Sequence, residues 1–226
     1  GEGAASVGLV ERGGVPWIWD RVSEQGLALS ELPLSGRHNV TNVCAAWAAV
    51  RSLGVDAKPF ADVLRKFRGL PHRTVLVGTF GGVRYFDDSK GTNVGAAVTA
   101  LLGLSEPRAV LIAGGRDKGG SYGPLIEALR TKGRALVVIG EAGPTIAECA
   151  AAALGPGFVI ERATSMEDAV ERSGRLAQAG DAVLLSPACS SFDMFRDYKH
   201  RGDVFVAAVL HQGGQGARVP VGEVSP

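Results

Sequence analysis

Cysteine, aromatic residues and surplus charge are all scarce in this chain. Its three cysteines, Cys44, Cys149 and Cys189, make no CxxC pair and no metal-ligand spacing, and their number is odd. That argues against a disulfide framework and fits a reducing compartment, with Cys44 and Cys149 on apolar helix faces. Lys and Arg total 24, Asp and Glu 23, and the net charge is +1. This balance supplies no general pull toward nucleic acid or an anionic membrane. No apolar run is long enough to span a bilayer, and no signal peptide is seen. The patterns GxxxxGK(S/T) and GxGxxG are both missing, so neither a P-loop nor a dinucleotide fingerprint is present. His38, His72, His200 and His211 show no metal-ligand spacing. A surface or capping role is expected for them, with a supporting role behind a ligand open for His38 and His72. Trp17, Trp19 and Trp47 are read as core residues rather than stacking platforms. The chain begins GEGAASVG without a methionine, as in a processed start or a fragment.

What is present is 46% hydrophobic residues and 32 glycines in 226 residues, enough for one large domain or one and a half ordinary ones. Residues 1–36 read as short β-segments, among them 15–19 and 27–34. Val40, Val43, Cys44, Trp47 and Val50 then recur at helical spacing, with Asn39 as an expected N-cap and Gly54 as the stop. Pro59 opens a second helix to about Phe67. After Pro71 the rhythm becomes strand–helix alternation. Strands are expected at 75–80, 83–86, 109–113, 135–139, 158–161 and 182–185. Helices are expected after Thr92 and at 124–130, 144–154, 166–177 and 201–211. Continuous apolar strands between amphipathic helices predict an α/β, doubly wound, mostly parallel sheet. Three segments follow: 1–70, 71–212, and a disordered tail at 213–226.

Ligands of such sheets sit beyond the carboxyl ends of the strands. Three strand ends here carry chemistry. The first closes LPHRTVLVGTFGGVRYFDDSKGTN, residues 70–93, where Gly81-Gly82 turns a hairpin. Asp88 and Lys90, two apart, are placed on one face. An aspartate there accepts from ribose hydroxyls, and a lysine meets phosphate or carboxylate. The bland alternative is a solvated turn capped by Thr92 or Asn93. The second is GGRDKGGS at 114–121, whose glycines admit an anion close to the backbone and whose Lys118 supplies charge. The alternative is a flexible surface turn. The third is SPACSS at 186–191, hydroxyls and amides suited to a carboxylate or phosphate. The alternative is helix capping, and for Cys189 a small buried residue is preferred over a nucleophile. Together the three describe an anion pocket with a cationic floor. The sheet alone would also suit NAD, against which the missing fingerprint argues.

Five segments, GRHNVTN at 36–42, GLPHR at 69–73, FDDSKGTN at 86–93, GGRDKG at 114–119 and LLSPACSSFDMFRDYKHRG at 184–202, resemble the Mur ligase family of peptidoglycan synthesis. The likeness is strongest to its D-glutamate-adding members and covers most of residues 30–210. It implies that 1–70 ends a central ATPase domain and that 71–212 is a Rossmann-like C-terminal domain that binds the amino acid. The family's P-loop, Mg2+ ligands, modified lysine and uridine site have no counterpart in this chain. The implied reaction joins D-glutamate to UDP-N-acetylmuramoyl-L-alanine: ATP phosphorylates the substrate carboxylate, and the amine displaces phosphate through a tetrahedral intermediate. Positioning and charge neutralisation would carry the catalysis.

By this resemblance Asn39, Asn42, Arg73, Asp88 and Lys90 belong to the ATP site, with Arg73 on phosphate. Thr92, Lys118, Ser191, Phe192 and Tyr198 match D-glutamate positions, and Lys118 pairs with a substrate carboxylate. Lys118, Arg73 and Asp88 would carry the chemistry, and Arg201 is a recurrent arginine without a derived role. A cytoplasmic monomer without nucleic-acid or membrane partners is expected. Two alternatives stay open: a sister ligase, such as a folylpolyglutamate synthase, and a non-catalytic nucleotide- or amino-acid-binding domain.

Overall fold

A computed structural model describes residues 6–32, 37–67 and 69–214. The chain divides into two compact units, Gly1–Gly69 and Leu70–Pro226.

The first unit holds an antiparallel sheet of β1 (Val7–Arg12), β2 (Val15–Asp20) and β3 (Gln25–Ala28) in that order. Two helices follow, α1 (Arg37–Ser52) and α2 (Ala57–Lys66). Ile18, Leu27, Val43, Trp47, Ala57, Ala61 and Leu64 form one apolar cluster. Trp47 is the centre of it, tilted against Phe60 at 5.5 Å between ring centroids. Several expectations change here. Asn39 lies inside α1, which already starts at Arg37, so it is not the residue before the helix. Pro59 sits in the first turn of α2 rather than opening it, a place where its missing N–H is no loss. The strand expected over 27–34 stops at Ala28, a 3-10 turn follows at Leu29–Glu31, and residues 33–34 lie outside the described residues. Trp17 and Trp19 are only half-buried, and Trp19 instead lies under the Arg12 guanidinium at 3.6 Å. Gly36 and the side chain of His38 lie outside the described residues.

The second unit is a three-layer α/β structure. In chain order it runs β4 (Val75–Phe80), β5 (Val83–Asp87), α3 (Val94–Gly103), β6 (Ala109–Gly114), α4 (Gly123–Lys132), β7 (Gly133–Ile139), α5 (Gly143–Leu154), β8 (Val159–Arg162), α6 (Met166–Leu176), β9 (Ala182–Leu185) and α7 (Tyr198–Gly214). The sheet order is β4-β5-β9-β6-β7-β8. Only the β4–β5 hairpin is antiparallel. Its turn is Gly81-Gly82, with φ of 58° and 78°, the left-handed pair that a two-residue hairpin needs.

β6 and β9 are buried along their whole length, because helices cover both faces. Alternation sorts their side chains. Leu111, Ala113, Leu136, Val138 and Leu184 pack on one side with residues of α3, α4 and α5. Val110, Ile112, Val137, Ile139, Val183 and Leu185 pack on the other with residues of α6 and α7. Each buried leucine or isoleucine contributes about 2 kcal/mol by leaving water. α7 is longer than expected and includes Gly213 and Gly214, so a tail starting at 213 is not observed there. Residues 215–226 lie outside the described residues. Cys149 is exposed on α5, not on its apolar face.

Candidate functional site

The position of β9 decides the site. It inserts between β5 and β6, so the carboxyl ends of β5, β9 and β6 lie side by side. These are the three ends that carry the charged and hydroxyl motifs. The loops after them are stitched together by backbone bonds. Ala188 N donates to Gly91 O at 2.9 Å, and Arg116 and Ser190 exchange backbone bonds of 2.9 and 3.1 Å. Gly114 and Gly115 make the close approach possible. Their φ values are 124° and 128°, and a Cβ on either would fall on a backbone carbonyl, Ile139 or Ser190 respectively.

Arg201 fastens these loops from below. It is fully buried on α7, and its three donors meet Ser89 Oγ (3.0 Å), Ser89 O (2.8 Å) and Cys189 O (3.2 Å). Among the described residues no carboxylate bonds it directly, and burial lowers its pKa to about 10. Its role is therefore to tie the β5 and β9 loops to α7. Sequence reasoning singled out Arg201 without a role, since its partners are 112 and 12 residues away.

Asp87 and Asp88 both turn inward. Asp87 accepts from Ser89 N at 2.9 Å and bonds His72 Nδ1 at 2.7 Å. Asp88 accepts from Thr74 N (3.1 Å) and Thr74 Oγ1 (3.2 Å) on one oxygen and from Ser186 Oγ (2.6 Å) on the other. The expected shared face of Asp88 and Lys90 is not observed. β5 ends at Asp87, so the two-apart rule of strands no longer holds beyond it. Lys90 instead points its ammonium over the Tyr198 ring, 4.0 Å from the centroid, while its backbone N–H donates to His72 O. Arg73 is exposed on the turn between the two bonded residues His72 and Thr74, both with positive φ. His72, inside the quoted GLPHR segment, is thus half-buried and bonded to Asp87 rather than a surface residue.

Burial pushes the Asp88 carboxyl up to about 6, against the pull of the Ser186 and Thr74 bonds. The unfolded value is about 3.9. The folded chain therefore holds this proton more tightly than the unfolded chain. Its stabilising contribution is full below about pH 4 and is lost as pH rises through about 6, a swing of up to about 3 kcal/mol. Asp88→Asn keeps an acceptor for Thr74 and gives Ser186 a donor. We expect the variant to gain on the parent from about pH 4 to about 6.5 and to hold that gain to pH 7.5 in urea unfolding. Parallel pH curves for the two would rule the effect out.

On the β6 side, a cleft of about 470 Å³ is lined by Asn93, Val94, Asp117, Lys118, Ser121 and Tyr122, among others. Asn93 caps α3, accepting from Ala96 N at 2.9 Å. Lys118 Nζ reaches Thr92 Oγ1 at 3.5 Å, joining two predicted residues from different loops. Tyr122 is buried and donates from its phenol to Asp117 Oδ1 at 2.9 Å, and Cys189 Sγ lies 3.4 Å from the Tyr122 phenol oxygen. Burial raises the Cys189 thiol, so it remains a protonated, enclosed sulfur. Ser191 is buried, Tyr198 half-buried and Phe192 exposed. Asn39 and Asn42 lie on α1 of the first unit, half-buried and exposed. Sequence reasoning missed Tyr122, while Asp117 and Ser186 stood inside candidate segments without a role of their own. Asp117 stood inside the quoted GGRDKG motif, so its neighbour Lys118 was the available signal. Among the described residues, no group of three or more His, Cys, Asp or Glu could hold a metal ion, and no helix is long and apolar enough to cross a membrane.

The family described as "Mur ligase, glutamate ligase domain" matches residues 72–189, the stretch that carries all three strand ends. This chain belongs to the Mur ligase family. The UDP-N-acetylmuramoylalanine–D-glutamate ligase of Nitrosospira multiformis is 47% identical over 212 residues, covering 92% of this chain and 43% of that protein. The ligase of the same name from Aromatoleum aromaticum is 50% identical over 203 residues, covering 89% and 42%. The chain thus spans less than half the length of these Mur ligase relatives. Among solved structures, the UDP-N-acetylmuramate-alanine ligase of Thermotoga maritima aligns with a TM-score of 0.64 at 19% identity, covering 92% of this chain and 46% of that one. The folylpolyglutamate synthase of Mycobacterium tuberculosis, complexed with ADP, aligns at 0.65 and 15% identity, covering 86% and 44%. At such identities the structural likeness speaks for the fold, which is the Rossmann-like α/β arrangement described above.

Proposed function

We propose that this chain is the C-terminal part of an ATP-dependent ligase that joins D-glutamate to UDP-N-acetylmuramoyl-L-alanine in peptidoglycan precursor synthesis. The observation that carries the reading is the Thr92–Lys118 contact between the loops after β5 and β6, with Lys118 lining the cleft. It comes together with two relatives of that name at 47% and 50% identity. A carboxylate is a poor electrophile, and ATP would turn it into an acyl phosphate. The amine of D-glutamate then attacks, and phosphate leaves. In this scheme Lys118 and Thr92 hold a carboxylate of the incoming amino acid, with Ser191, Phe192 and Tyr198 around it.

Arg73, exposed on its bonded turn, would meet phosphate, with Lys90 nearby. Asp88, engaged by Thr74 and Ser186, would act by fixing that turn rather than by touching the ribose. By the family resemblance Asn39 and Asn42 would also serve the nucleotide. By the family resemblance the Mg2+ ligands and the P-loop would come from the remaining share of the ligase. The reaction would run in the cytoplasm.

Lys118→Ala in the full-length ligase should raise the KM for D-glutamate at least tenfold and leave the KM for ATP within about twofold, since a charge-assisted bond is lost at one substrate only. Steady-state phosphate release with each substrate varied in turn measures this. An equal rise for both substrates would count against the assignment. Acceptance of L-glutamate or a folate in place of the named substrates would point to a sister ligase.

A further inference from the structure

Asp117 stands beside Lys118 on the wall of the same cleft, and its geometry is unusual for a surface carboxylate. One oxygen, Oδ1, takes both the Tyr122 phenol at 2.9 Å and Gly119 N–H at 3.0 Å. The Tyr122 ring is buried against the core, so the carboxylate is held by a rigid group rather than by another mobile side chain. Both of these bonds fall on the same oxygen, and the carboxylate remains exposed on the cleft wall. The Tyr122 bond, then that of Gly119, keeps Asp117 below the usual carboxylate range, so it is ionised wherever the protein is folded near neutrality. The cleft therefore presents one fixed anion next to one cation. A pocket for a plain dicarboxylate has no use for the anion, which would repel it. A pocket for an amino acid does, because its substrate arrives with an ammonium group as well as carboxylates.

We propose that Asp117 binds the ammonium group of the incoming amino acid, and that Tyr122 is the positioning residue that aims it. This rests on reading the cleft as the amino-acid site and adds to it the group that separates an amino acid from other dicarboxylates. The arrangement divides the labour. Lys118 with Thr92 takes a carboxylate, Asp117 takes the amine, and the shared 116–121 loop sets their separation. Tyr122 acts only through Asp117, since its phenol already donates there.

The test uses the full-length ligase, with D-glutamate as substrate and glutarate, the same dicarboxylate without the amine, as a competitive inhibitor. Asp117→Asn keeps an acceptor for Tyr122 and Gly119 and removes the charge. It should raise the KM for D-glutamate about tenfold, the usual size of one lost charge-assisted bond, while glutarate inhibits as well as before or better. Tyr122→Phe should show the same split at about threefold, with an unchanged melting temperature. Lys118→Ala should weaken D-glutamate and glutarate together. If Asp117→Asn weakens both compounds equally, Asp117 merely shapes the loop and the proposal fails. If it weakens neither, the proposal also fails, and the Lys118 arm then tells whether the site reading survives: a loss with Lys118→Ala retains it, and no loss removes it too.

Discussion

Replacing Arg201 with alanine is expected to cost the folded chain about 3–5 kcal/mol. The guanidinium is fully buried and donates to Ser89 Oγ, Ser89 O and Cys189 O. Alanine orphans the two carbonyls, each at about 1–3 kcal/mol, and leaves a cavity the volume of most of the side chain. Relief of the arginine's own desolvation, which lowers its pKa to about 10, offsets part of this. For a unit of this size the melting temperature should fall by about 10 °C. Arg201→Lys restores the charge but not the planar fork, and should recover less than half. Arg201→Met refills the volume and leaves the acceptors bare, so it separates packing from hydrogen bonding. Thermal unfolding by circular dichroism reads the effect. Tryptophan fluorescence does not, because Trp17, Trp19 and Trp47 all lie in the first unit. A loss below about 1 kcal/mol would mean that the loops do not depend on this anchor.

The second large effect is expected at Gly114. Its φ of 124° is a region that side chains rarely adopt, and a Cβ there would fall on the Ile139 carbonyl. Ile139 is also its register partner in the β6–β7 pair. Strain and collision act together, and neither strand can retreat, because β6 is paired on its other edge to β9. Gly114→Ala should therefore destabilise by about 3–5 kcal/mol. Gly95→Ala is the contrast: it lies in the first turn of α3, where a Cβ meets nothing closer than Asn93 Oδ1 at 3.5 Å. That change should be neutral or stabilising by up to about 1 kcal/mol. Chemical unfolding of the two variants side by side checks the pair. Similar losses at both positions would refute the account given for Gly114.

Much of this protein could be read before any coordinates. β9 is found at the expected residues, Ala182–Leu185, because a run of aliphatic residues buried on both faces leaves a continuous apolar signature. The hairpin and the Asn93 cap were legible for a similar reason: a Gly-Gly turn and a polar residue before a helix act within a few residues of themselves. The quoted motifs carried the family, since they preserve residue identity in order. Tertiary structure alone decided what those motifs touch. β9 enters between β5 and β6, a pairing across nearly a hundred residues that no local period encodes, and only that insertion brings the Thr92, Lys118 and Ser191 loops to one edge. Asp88 looked like a ligand group and is instead bonded inward to Ser186, 98 residues away. Arg201 stood in a quoted motif with no role of its own and is the buried clasp of the site. Periodicity reports whether a position tends to face solvent. Which charge meets which partner depends on distances that exist only after the chain has closed on itself.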